Sequence, residues 1–241
     1  IDVSLVGSEM CIRDSNNMAI VLSQQGRLDE AMAKYEEALG IKVKAYGPNH
    51  ADVAVTLNNM ANVLRKQGKL DEAMAKYEEA LGIKVKAYGP NHADVAMTLN
   101  NMANVLEKQG RLDEAMAKYE EARGIYVKAY GPNHADVART LGNLAIVLEK
   151  QGRLDEAMAK YEEALGIYVK AYGPNHADVA DTLNNMAIVL HTQGRLDEAM
   201  AKYEEALGIR VKACGPNHAD VADTLVGMAS VLQTQGKLEE S

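Results

Sequence analysis

In HADVAVTLNNMANVLRKQG, residues 50–68, the apolar positions Val53, Leu57, Met60, Ala61 and Leu64 recur at i, i+4, i+7, i+8 and i+11. That spacing draws one stripe along an α-helix. Asn49 stands where an N-cap is expected, with Asp52 three residues on in the manner of a capping box. Gly68 closes the element. The next segment, LDEAMAKYEEALGIKVKAY at 70–88, carries a wider apolar arc: Leu70, Ala73, Met74, Tyr77, Ala80, Leu81, Val85 and Tyr88. It predicts a second helix that touches both its own partner and the first helix of the next unit, with Ala73 and Ala80 permitting close approach. Asp71 and Glu72 in its first turn, and Lys84 and Lys86 near its end, complement the helix dipole. Gly89-Pro90 stops it, through a left-handed glycine and a proline that cannot continue a helix. Gly82, inside the same helix, costs about 1 kcal/mol against alanine, and the pattern gives it no role.

The two-helix pattern is copied along the chain. GPNHADVA begins at Gly47, Gly89, Gly131, Gly173 and Gly215, a constant step of 42 residues. Residues 47–88 and 89–130 differ only at Val55/Met97, Arg65/Glu107, Lys69/Arg111, Leu81/Arg123 and Lys84/Tyr126. A packed core tolerates far more variation than that, so recent duplication is the simpler explanation. Differences between copies then carry more information than similarities. One helix pair cannot bury its own apolar face, so the pairs must stack. The expected fold is an all-α solenoid of antiparallel helix pairs. It has a partial repeat at 16–46, full repeats at 47–88, 89–130, 131–172 and 173–214, and a partial repeat at 215–241.

Composition narrows the function. The 241 residues are 47% hydrophobic and 25% charged, an ordinary soluble profile. No apolar run is long enough to span a bilayer, so no membrane partner is expected. The net charge of -8 and the absence of Trp and Phe argue against a nucleic-acid partner held through phosphates and base stacking. Two cysteines, Cys11 and Cys214, make no disulfide framework.

The segment TLNNMANVLRKQGKLDEAMAKYEEALGI resembles the tetratricopeptide repeat, whose small and large positions map onto Leu57, Met60, Ala61, Leu64, Gly68, Ala73, Tyr77 and Ala80. The 42-residue period and the wording LNNMA…QGKLDEA…YEEAL resemble the kinesin-light-chain variety, over residues 16 to 241. Two departures stand out: His50-Ala51 where that family usually has His-Pro, and Gly142 in place of the first asparagine of the pair. The resemblance implies a right-handed superhelix with a concave face lined by the first helices. It also implies a groove for extended peptides or partner helices, with asparagines of the LNN segment contacting the peptide backbone. Function follows as a protein-interaction scaffold, cargo recognition being one version.

Residue by residue, the expected peptide-binding face comprises Asn58, Asn59 and Asn62, then Asn100, Asn101 and Asn104, then Asn143, Asn184 and Asn185, all opposite the apolar stripe or at its margin. A side-chain amide both donates and accepts, so a ladder of them suits a peptide of any sequence. The alternative is a polar face left by duplication, with no ligand selected. Next to the ladder sit Val55, Met97, Arg139, Asp181 and Asp223. At the far end of the same helix sit Arg65-Lys66, Glu107-Lys108, Glu149-Lys150, His191-Thr192 and Gln233-Thr234. Formal charge per copy runs +1, -1, -1, -2 and -3 from residue 47 onward. An acidic peptide segment is therefore expected near Arg65, Lys66, Lys108, Arg139 and Lys150. Solvated charges of this kind each contribute modestly, and a merely solvated face is the competing reading.

Other chemistry is not expected. His50, His92, His134, His176 and His218 recur at the repeat step. A zinc ion needs its ligands at about 2.0–2.3 Å, whereas equivalent residues on neighbouring units lie roughly 8–10 Å apart or more. They read as turn residues at helix starts. Glu72 and Lys76 form an i,i+4 surface pair. No phosphate-binding glycine loop, nucleophile elbow or Cys-x-x-Cys pair is present, so no enzyme, cofactor, metal or small-molecule substrate is expected. A cytoplasmic location fits. The rival reading is a regulatory or sensor array belonging to a larger signalling enzyme, which a P-loop elsewhere in the gene would favour and an upstream coiled coil would not. A rigid spacer is a third.

The first 15 residues, IDVSLVGSEMCIRDS, break the pattern. None matches the residue 42 positions later, whereas the match from Asn16 onward is immediate. They lack the basic and long apolar regions of a signal peptide. LVGSEMCIRDS resembles the translation of a transposon-end adapter used in DNA library preparation, and it ends where the repeat begins. Residues 1–15 are therefore expected to be non-native, and 16–241 a portion of a longer array. At the other end QGKLEES begins a second helix, so Val221, Leu225, Met228 and Leu232 are expected to lack a neighbour and to fray or self-associate.

Overall fold

The computed structural model describes residues 16–236; the adapter reading of residues 1–15 and the reading of residues 237–241 lie outside it. The described residues hold α1 (16–24), α2 (Leu28–Tyr46), α3 (Ala51–Lys66), α4 (Leu70–Tyr88), α5 (Ala93–Lys108), α6 (Leu112–Tyr130), α7 (Ala135–Lys150), α8 (Leu154–Tyr172), α9 (Ala177–Thr192), α10 (Leu196–Cys214) and α11 (Ala219–Thr234). Among them there is no strand. From α3 on, helices of 16 and 19 residues alternate. The chain forms two compact units, divided between Ile125 and Tyr126. In each, helices pair with their sequence neighbours, and first helices also meet across pairs, as α3 meets α5 and α9 meets α11.

Burial reverses one expectation. The wider buried arc belongs to the first helix of each pair. On α3 it takes in Val53, Ala54, Thr56, Leu57, Asn58, Met60, Ala61, Val63 and Leu64, against Ala73, Tyr77, Ala80, Ile83 and Lys84 on α4. Met60 and Val63 pack on Ala19, Leu22, Ala31 and Tyr35 of the preceding pair. Ala61 and Leu64 pack on Ala73 and Tyr77 of their own partner. A first helix is thus enclosed from two sides, while the outer face of the second helix stays in solvent.

The helix starts also differ from expectation. The N-cap of α3 is His50, at φ -75° and ψ 144°, whose Nδ1 accepts the Asp52 N–H at 3.2 Å. Asn49 precedes it in the turn. The same bond recurs at His92, His134, His176 and His218, at 3.1–3.3 Å. A histidine cap satisfies one of the orphan amides of the first turn. Tyr88 is 44% exposed and is no core residue; it stacks on His92 with ring centroids 4.5 Å apart. Tyr130 and Tyr172 lie against His134 and His176 at 4.3 Å, with their rings tilted by 34° and 30°. Gly89 takes φ 84° and ψ 162°. That is a positive-φ extended conformation open essentially to glycine alone, and not the left-handed helical one.

Two clasps join successive pairs. At one end a glutamine after the first helix donates to an aspartate in the second helix of the preceding pair: Gln67 to Asp29 and Gln109 to Asp71 at 2.8 Å, Gln193 to Asp155 at 2.8 Å, and Gln235 to Asp197 at 2.9 Å. At the other end Lys84, 1% exposed, inserts its Nζ against the Asp94 carbonyl at 3.3 Å and Thr98 Oγ1 at 2.9 Å. Lys42 repeats this with Asp52 and Thr56. Arg210 does so with Asp220 and Thr224. Lys84 is therefore an interhelix tie, not an exposed complement to the dipole. Burial pushes its pKa down, with Asp94 pulling the other way. Gly82 remains without a steric reason, since a Cβ there would meet nothing within 4 Å. On α11, Leu225 and Leu232 are exposed and Met228 is half-buried, but Val221 is buried.

Candidate peptide-binding groove

On each first helix one polar stripe stays open beside the buried arc, at i, i+4, i+7 and i+11. In unit 1 it reads Val55, Asn59, Asn62 and Lys66 on α3, and Met97, Asn101, Asn104 and Lys108 on α5. In unit 2 it reads Arg139, Asn143, Ile146 and Lys150 on α7, then Asp181, Asn185, Ile188 and Thr192 on α9. None of these is buried.

Asn58 and Asn100 do not belong to this stripe. Both are 4% exposed, and Asn58 Oδ1 accepts from Thr98 Oγ1 at 3.4 Å. Buried amides are out of a peptide's reach; the position of Asn58, one residue before the stripe, turns it into the interface with the next first helix, α5. Asn184, at the equivalent place on α9, is half-buried and its Oδ1 is enclosed without a hydrogen-bond partner.

In unit 1 a cleft of about 290 Å³ lies between α1 and α3, where Ile20, Tyr35, Asn59, Asn62, Arg65 and Lys66 meet. Its polar groups are partly committed. The Tyr77 hydroxyl donates to Asn62 Oδ1 at 2.6 Å, and Tyr119 donates to Asn104 Oδ1 at 2.6 Å. Lys66 Nζ reaches the Ser23 carbonyl and Oγ at 3.2 and 3.1 Å. Arg65 lies against the Tyr77 hydroxyl, with its Nε enclosed and unpaired. Burial pushes the Tyr77 phenol up to about 12 and raises that of Tyr119 as well. Both stay protonated, and so remain donors, at neutral pH.

The other predicted cations fare differently. Lys108 and Lys150 are exposed. Burial raises the carboxyl of Glu149, and Lys150 beside it acts in the opposite sense. Arg139 is held by Asp136 at 2.6 Å, a bond on its own helix that offsets its charge. In α9 the acidic stripe residue Asp181 is paired with Arg210 at 2.6 Å. At Gly227 of α11, which replaces the stripe asparagine, an added Cβ would fall 2.6 Å from the Tyr203 ring. Sequence reasoning missed the tyrosine partners of Asn62 and Asn104. The signal was a 15-residue spacing, Asn62 to Tyr77 and Asn104 to Tyr119, broken where Ile146 precedes Tyr161 and Ile188 precedes Tyr203.

These stacked helix pairs define a class. The tetratricopeptide-repeat profile matches residues 12–86, 52–126, 94–168, 144–210 and 178–241, and the chain belongs to that family. Repeats of this family mediate protein–protein binding and are typically non-catalytic. The particular likeness is to kinesin-light-chain-like arrays. BtubC (BKLC) from P. vanneervenii superposes with a TM-score of 0.75 at 22% identity, over 88% of this chain and 85% of that one. Two structures of nearly identical TPR-like repeats from a Podosopora anserina kinesin-light-chain-type protein give TM-scores of 0.70 and 0.69 at 21% identity. They cover 83% and 84% of this chain, and 95% and 96% of theirs. At such identity the likeness carries the fold alone. No curated protein sequence matches the chain. Among the described residues no helix is long and apolar enough to cross a membrane.

Proposed function

We propose that this chain is a cytoplasmic protein-interaction scaffold that holds an extended acidic peptide along the open stripe of its first helices, with no catalysis of its own. In unit 1 the contacts are Asn59, Asn62, Arg65 and Lys66 on α3, and Asn101, Asn104 and Lys108 on α5. In unit 2 they are Asn143 and Lys150 on α7 and Asn185 on α9. Arg139 contributes little there because Asp136 already neutralises it. The carrying observation is the cleft of unit 1, which brings two amides and two cations to one surface. Amides pair with a backbone of any sequence, while the cations select acidic side chains.

The test is fluorescence anisotropy with a labelled octa-glutamate peptide on the full chain. Arg65→Glu combined with Lys66→Glu should weaken binding by about ten-fold or more, the product of two modest charge reversals. Position 65 already carries Glu in the next two copies, as Glu107 and Glu149, so that half of the variant should fold normally. Binding indifferent to the double variant would overturn the proposal.

A further inference from the structure

An asparagine amide has two ends of nearly equal shape. One donates two hydrogen bonds and the other accepts. Free to turn, it shows either end to a ligand and discriminates little. In α3 the amide of Asn62 is not free. An amide oxygen only accepts, so the phenolic proton of Tyr77, 2.6 Å away, must point at Asn62 Oδ1. With its oxygen turned back onto Tyr77, Asn62 is left with Nδ2 and its two protons for the cleft. Tyr77 is fully buried, and its raised pKa keeps that proton in place across the physiological range.

We infer that Tyr77 is a positioning residue which fixes the donor end of Asn62 toward the groove, so that the cleft of unit 1 takes hydrogen-bond acceptors there, ligand carboxylates and carbonyl oxygens, and turns away groups that only donate. The inference rests on the peptide-binding reading above and deepens it. Attraction of an acidic peptide by lysine and arginine is long-ranged and tolerant of geometry. A fixed donor is short-ranged, and it adds one oriented hydrogen bond to the acceptor it meets. The second copy repeats the arrangement: Tyr119 makes the same 2.6 Å bond to Asn104.

The experiment measures binding of labelled octa-glutamate to the full chain before and after Tyr77→Phe, which keeps the ring and removes only the hydroxyl. The Kd should rise by about five-fold in Tyr77→Phe, the worth of one oriented hydrogen bond. The side-chain amide signal of Asn62 in NMR should shift in the same variant. If the unmodified chain does not bind the peptide, the peptide-binding reading fails and this inference with it. If it binds and Tyr77→Phe leaves the Kd and the Asn62 signal unchanged, the positioning role alone is overturned.

Discussion

The first helices α3 and α5 of unit 1 and their counterparts α9 and α11 of unit 2 come from nearly one sequence, yet they present different chemistry. Their caps and their glutamine clasps coincide, and Val53, Val95, Val179 and Val221 are buried alike. Divergence gathers at two places. One is the open stripe, where Asn62 and Asn104 become Ile188 and Ser230, and Val55 and Met97 become Asp181 and Asp223. The other is the tie between pairs, where Lys42 and Lys84 become Tyr168 and Arg210. These two places are coupled: Asp181 on the stripe is paired with Arg210 at the tie, whereas Val55 stands at the equivalent place before Lys84. Duplication preserved what stacks the helices. Drift acted on what the stack displays, together with the buried residues directly beneath it.

The largest effect expected from breaking this comparison is at the tie. Lys84→Ala removes a buried stem and leaves Thr98 and the Asp94 carbonyl short of a donor, at a cost of about 2–4 kcal/mol. Lys84→Tyr installs the residue found at 126 and 168, both buried in unit 2, and should cost about 1 kcal/mol or less. Urea denaturation of the two variants checks the pair, and equal losses would mean that the tie is specific to lysine.

Next comes alkaline pH. Burial lifts Tyr77 from 10.0 to about 12 in the folded chain. The unfolded chain therefore loses this proton first. The corresponding stability is fully present below pH 10 and is lost as pH rises toward 12. Tyr77 alone accounts for about 2–3 kcal/mol of that loss. Stability measured alongside tyrosinate absorbance should show the loss, and Tyr77→Phe should reduce it.

The smallest effect concerns the caps. His92→Ala removes an N-cap bond and a ring stacked on Tyr88, and should cost about 1 kcal/mol. His218→Ala removes the same bond, but Cys214 stands where the stacking tyrosine would be, so the loss in unit 2 should be smaller. Thermal melts of the two variants separate the stack from the bond.

Helix number, the 42-residue step and the pairing of helices were legible because an apolar stripe at helical spacing has few ways to be buried, and identical units have fewer still. The open stripe was legible in part. Asn59, Asn62, Asn101 and Asn104 fall on it, and Lys66, Lys108 and Lys150 at its end. Asn58 and Asn100 do not and are buried, because a first helix is enclosed from two sides and a one-residue step of 100° carries Asn58 into the interface with α5. The cap moved from Asn49 to His50 for a similarly local reason: a histidine is seldom weighed as a cap, yet its Nδ1 reaches the amide two residues on as well as a shorter side chain does.

Sequence alone determined that this protein is a stack of helix pairs, because periodicity and repetition act through local geometry and through the need to hide an apolar face. Only the tertiary structure decided which polar residues remain free to meet a ligand. Lys84 and Asn58 look like surface residues until the neighbouring pair closes over them. Asn62 looks like an amide free to turn until Tyr77, 15 residues later and on another helix, fixes its oxygen. Such choices depend on contacts between elements distant along the chain, and no spacing within one helix encodes them.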